Sequence, residues 1–154
     1  MSEREKFEGI PDQDQSASWG VRYERTISPD LLDKDNMHLG YLGFVKIFEE
    51  AQRAMQGERG LDYENLSERF GIRLFVKDLH IEYKGEVPAD ENVRIFTKVL
   101  MPGRTSVAYH QAMLNTSNEI VANSTFVLVG VDEEGKPKVL PGEVREGLTT
   151  LNIE

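Results

Sequence analysis

The chain has no cysteine among its 154 residues. That excludes disulfides, thiolate nucleophiles and cysteine-ligated zinc together. Histidine is scarce, with three copies, and His38, His80 and His110 are too far apart for a metal-ligand motif. A metal site is therefore not expected. No apolar run is long enough to span a bilayer; the longest lies near Phe126–Val131. The start, Met1 to Gly9, lacks the apolar core of a signal peptide, which makes a cytoplasmic location the expectation. Basic residues are outnumbered 18 to 27, a net charge of −9, so no basic stripe for nucleic acid or for an anionic membrane is expected. A glycine-rich phosphate loop and a nucleophile elbow are also absent from the sequence.

What is present reads as one soluble domain with a single core. Residues 1–15 are polar and read as a flexible N-terminal arm, residues 16–148 as the domain, and residues 149–154 as a C-terminal tail. Alternating Trp19, Val21 and Tyr23 predict a strand over Ala17–Ile27, which Ser28-Pro29 breaks. A loop over residues 29–39 follows. Tyr41, Phe44, Val45, Phe48, Ala51, Gln52 and Met55, spaced by three and four, with Leu42 and Ile47 broadening the stripe, predict a helix over Gly40–Gln56. Residues 62–70 read as a short helical connector with Asp62 as N-cap. The period then changes to two. Strands are predicted from Phe75 to Tyr83, Val93 to Met101, Thr105 to Asn115 and Ile120 to Val131, joined by tight turns, and Lys138–Pro141 opens a tail. Tight turns join antiparallel neighbours, so the expectation is an α+β domain: one long helix wrapped by a curved, mainly antiparallel sheet of about five strands.

The most telling segment is Asp33-Lys34-Asp35-Asn36-Met37-His38-Leu39-Gly40-Tyr41, which runs into Phe48-Glu49-Glu50-Ala51-Gln52. Together with the element order it resembles the hot-dog-fold thioesterases of the 4-hydroxybenzoyl-CoA thioesterase family. The likeness runs from about Tyr23 to Arg145 and includes Gly103-Arg104-Thr105-Ser106 and a late Lys-Pro-Lys-Val-Leu-Pro segment. The loop is one residue shorter than the family pattern ahead of His38, and Gly40-Tyr41 replace its paired asparagines.

The resemblance implies hydrolysis of acyl-CoA or acyl-carrier-protein thioesters, with no cofactor, by a homodimer or homotetramer with sites at the subunit interface. It offers Asp35 as nucleophile or general base, Asp33 as the alternative carboxylate, and His38 as an orienting group. The backbone N–H of Gly40 or Tyr41 would polarise the carbonyl, as a helix start can. Thr105, Ser106 and the helical Glu50 are candidate substrate contacts, and Arg104 could meet a CoA phosphate. The plainer reading makes Asp33 and Asp35 turn residues. Two other functions stay open. Asp33 and His38 have the spacing of enoyl-CoA hydratases of the same fold, and a shortened loop also fits a non-catalytic acyl-thioester-binding protein.

Overall fold

A computed structural model describes residues 20–100 and 102–150. The expected arm, Ala17–Trp19 of the first strand, Met101, and residues 151–154 of the expected C-terminal tail lie outside the described residues.

Five antiparallel strands form one sheet in the order β1-β3-β4-β5-β2. They are β1 (Val21–Thr26), β2 (Arg73–Tyr83), β3 (Asn92–Leu100), β4 (Ser106–Leu114) and β5 (Ile120–Val131). Helix α1 (Tyr41–Glu58) lies across one face, with α2 (Tyr63–Phe70) and α3 (Gly142–Thr150) beside it. The helix-in-sheet hot-dog architecture is the one expected.

The core is built as the periodicities require. Phe44, Ile47, Phe48, Ala51 and Met55 of α1 are buried against alternate strand residues, among them Ile95, Tyr109, Met113 and Phe126. Phe48 meets Phe126 edge-to-face at 6.3 Å. Two residues assigned to the apolar stripe are not core: Tyr41 and Leu42 are 66% and 70% exposed. They occupy the first turn of α1, beyond the sheet's cover.

A polar ladder runs through this core. Gln52 donates to Gln111 at 2.8 Å, and Gln111 donates to the Thr97 hydroxyl and the Phe48 carbonyl at 3.0 Å each. Tyr109 donates to Gln56, which donates to the Leu61 carbonyl. Buried amides paired in this way fix the register of the helix on the sheet.

Helix α2 starts as expected, with the Asp62 side chain accepting from the Asn65 amide. It stops at Gly71, whose φ of +63° suits glycine. The segment read as a tail contains a helix instead. α3 buries Val144 and Leu148, one turn apart, in the core. β2 carries a further irregularity: its pairing with β5 slips between Val76 and Asp78, leaving Lys77 in a bulge.

Candidate active site

The site is built around the start of α1. A 3₁₀ turn at Pro29–Leu31 and a bridge between Leu32 and Leu39 fold residues 33–38 into a tight loop. Asp33 organises it. Its N–H donates to the His38 carbonyl at 2.7 Å, and its carbonyl accepts from the Met37 amide at 2.8 Å. Its carboxylate accepts from the Asp35 amide at 2.8 Å. Met37 is held at φ +60°, a left-handed conformation uncommon outside glycine, so the loop carries backbone strain.

The loop closes directly onto the helix start. A Cβ placed on Gly40 would sit 3.6 Å from the Asp33 Cβ, while one on Gly43 would sit 2.5 Å from Leu39 Cδ1. Gly43 therefore permits the approach. Gly40 caps α1 without a side-chain bond, and the amides of Tyr41, Leu42 and Gly43 find no acceptor among the described residues. Unsatisfied amides at the positive end of an 18-residue helix attract an oxyanion. In front of them lies a groove of about 360 Å³, lined by Asp30, Leu31, Leu32, Asp33, Gly40–Gly43 and Lys46. Asp30 is held below the usual carboxylate range, first by the Ser28 hydroxyl and its own backbone amide, with smaller help from Lys46 and Arg25.

The structure thus brings Asp33, Gly40 and Tyr41 into one groove. Asp35 sits exposed at the loop tip. The His38 ring turns toward the 84–88 loop: Nε2 lies 3.5 Å from Glu86, its backbone bridges Pro88, and Nδ1 is buried without a hydrogen bond among the described residues. Glu50 is elsewhere. Arg25 grips it at 2.9 Å and the Tyr23 hydroxyl donates at 3.3 Å, on the β1 side of α1. Burial, and then the Glu50 charge, push the Tyr23 hydroxyl upward. Thr105 and Ser106 lie at the other end of the sheet. Ser106 pairs with Val129 and Tyr83 with Ala122, which separates the two ends by roughly 23 Å of strand. Within one chain they do not reach the groove. Arg104 lies in the same distant turn, where its carbonyl accepts from Leu140.

Sequence reasoning missed Leu42, Gly43, Asp30 and Lys46 as groove residues. The helix-start argument could have supplied the first two, since any of the first three amides is equally free. Asp30 and Lys46 needed the tertiary fold. Among the described residues no cluster of three metal-ligating side chains occurs, and no helix is long and apolar enough to cross a membrane.

A long helix wrapped by a curved five-stranded antiparallel sheet is the hot-dog fold. Residues 29–148 match the Thioesterase-like superfamily, and the chain belongs to it. No curated protein matches at a significant level. Solved structures share the fold at low identity. A hypothetical protein from Aquifex aeolicus has a TM-score of 0.77 at 20% identity, over 83% of this chain and 98% of that one. A 1,4-dihydroxy-2-naphthoyl-CoA thioesterase from Synechocystis has a TM-score of 0.76 at 14% identity, over 82% and 93%. A Staphylococcus aureus protein in complex with CoA has a TM-score of 0.77 at 12% identity, over 85% and 82%.

Proposed function

We propose that the protein hydrolyses acyl-CoA or acyl-carrier-protein thioesters in the groove ahead of α1. One observation carries the reading: Asp33 lines the same groove as Tyr41, Leu42 and Gly43, whose amides have no acceptor among the described residues. The thioester oxygen accepts from those amides, which stabilises the negative charge that develops on attack. Asp33 then takes a proton from a water attacking the carbonyl carbon, or attacks it directly to give an anhydride that water opens. The C–S bond breaks and the thiol leaves, giving a free acid. The chemistry calls for water and a carboxylate, and no cofactor is proposed. Asp35, exposed at the loop tip, is assigned to the mouth of the groove, and His38, held toward Glu86, to fixing the loop.

Family membership and the CoA-bound and CoA-thioester-hydrolysing relatives support a CoA thioester as substrate. The Synechocystis relative acts on an aromatic acyl-CoA, so aromatic thioesters belong in the first assay panel. We place the reaction in the cytoplasm, in a homodimer or a dimer of dimers. The hydration reading gains no support from the loop, because the His38 ring faces Glu86 and not the Asp33 carboxylate. The test is release of CoA thiol from a panel of short, long and aromatic acyl-CoAs. Turnover supports the reading. Binding without turnover, or loss of the enoyl absorbance of crotonyl-CoA, would replace it.

A further inference from the structure

The face of the sheet turned away from α1 is open at one end and buried at the other. At the open end Lys98 is exposed and His110, Thr125 and Val127 are half-buried, as on a sheet face that meets water. One row along, the strands set Arg22, Phe96, Ala112, Asn123 and Glu82 side by side. Here Phe96 and Ala112 are 0% exposed and Asn123 is 1%. In the row after that, Arg94 lies beside Leu114 and both are buried. Phe96, Ala112 and Leu114 form an apolar cluster of their own, with Ile120 packed against it.

Among the described residues no element covers that end. Helices α1, α2 and α3 bury their apolar residues in the other cluster, on the opposite face. Arg94 leans on the turn after β4, where Nη2 donates to the Asn115 carbonyl at 3.3 Å and to the Asn118 side chain. That shields the margin of the patch and leaves Phe96 and Ala112 uncovered. The polar groups point the same way. Arg22 Nε, Arg94 Nη1 and Asn123 Oδ1 are buried with no hydrogen-bond partner among the described residues. Buried donors and acceptors left unmet are costly, so the cover has to bring polar groups as well as apolar ones.

We propose that the N-terminal segment of the same chain, residues 1–19, docks on this end of the sheet. Among the residues outside the described set it alone has both the length and the position. Met101 is a single residue at the open end of β3, and residues 151–154 follow α3 on the helix side. The segment joins the sheet beside the patch, since Val21 pairs with Thr97 and Arg22 with Phe96. Gly20 fixes the point of entry. Its φ is +94°, and a Cβ there would lie 2.0 Å from the Thr97 carbonyl oxygen, so the turn requires glycine. Nineteen extended residues reach roughly 60 Å, and the buried row from β1 to β2 spans roughly 19 Å.

The composition of the segment fits the patch. Phe7, Ile10 and Trp19 supply large apolar side chains to set against Phe96, Ala112 and Leu114. Five acidic residues between Glu3 and Asp14 outnumber Arg4 and Lys6. On the sheet, Arg94 and Lys98 border the patch, while Glu24 and Glu82 are each engaged by a neighbouring cation, Arg22 and Lys84. Opposite charge favours this segment over a second copy of the same face, which would bring like charges together. The groove ahead of α1 belongs to the other side of the sheet, so the segment closes the back of the fold and not the site.

The absence of cysteine allows a single probe. In the full isotope-labelled chain, a nitroxide on Lys98→Cys, exposed one row from Phe96, is expected to broaden the amide signals of residues 3–12. Adding Phe7→Ser/Ile10→Ser should recover those signals while the strand amides near the label stay broadened, which separates release of the segment from unfolding. Equal broadening of residues 3–12 with and without the serine changes would overturn the docking. Mixing isotope-labelled parent with unlabelled, spin-labelled chain identifies the donor. Broadening in that mixture would assign the segment to a second copy and overturn the own-chain proposal. A chain lacking residues 2–15 gives an independent reading. It should gain fluorescence with a hydrophobic dye and melt earlier than the parent, and an unchanged dye signal and melt would overturn the cover. None of these measurements uses a thioester, so they stand or fall apart from the catalytic reading.

Discussion

The two edges of the sheet are finished in opposite ways. β1 is six residues long, and Arg25 and Tyr23 tie it to Glu50 of α1. β2 is eleven residues long, bulged at Lys77 and lined with exposed apolar side chains. A short edge closed by an ion pair to the helix needs nothing further. A long, apolar edge beside the start of α1 suits a partner. The difference separates the two sides of one helix: the Glu50 side is tied to β1, and the Tyr41 side carries the groove and lies next to the exposed edge.

The shared core beneath both edges sets the largest effect. Phe48→Ala should destabilise the fold by about 3–5 kcal/mol, since the ring is fully buried against Phe126. Denaturant unfolding checks this, and both edges should be affected alike. Gly43→Ala separates them. The added methyl collides with Leu39 and should cost about 1–3 kcal/mol while displacing the Asp33 loop, so activity should fall more steeply than stability. Steady-state kinetics beside thermal melts would show the divergence. On the β1 side, Glu50→Gln removes a half-exposed ion pair, should cost about 1 kcal/mol and should leave turnover within a few-fold of the parent. At β2, Leu79→Lys should change unfolding free energy by under about 0.5 kcal/mol, as for an exposed site, yet weaken self-association in sedimentation.

Alkaline pH offers a further test of the core. Burial pushes the Tyr109 hydroxyl above its ordinary value of 10.0. The unfolded chain ionises first, so stability holds below that value and falls as pH rises past it. Tyr109→Phe should flatten that decline in pH-dependent melts.

Much of the frame was legible because it depends on local periodicity. The α1 stripe at Phe44, Phe48, Ala51 and Met55, the Asp62 cap and the four later strands follow from spacing alone. Tyr41 and Leu42 fit the same stripe but project past the sheet, which spacing cannot show. α3 was missed because its two buried residues are surrounded by Gly, Glu, Arg and Thr, leaving little amphipathic signal. The bulge at Lys77 has no local signature, and it decides which residues share a face. At the site, the acidic loop and the helix start were visible together. That Asp33 lines the groove while Asp35 sits exposed at the loop tip depends on the Leu32–Leu39 bridge, a tertiary feature. The Arg25 hold on Glu50 joins residues 25 positions apart and was equally out of reach.

The most direct measurement is CoA-thiol release by the parent chain, Asp33→Asn, Asp35→Asn and Glu50→Gln on the same acyl-CoA panel. The account predicts turnover by the parent, a loss of about 10²–10⁴ in kcat for Asp33→Asn, and near-parental rates for Glu50→Gln. Full activity in Asp33→Asn with loss confined to Asp35→Asn would contradict the assignment. An inactive parent would contradict the function.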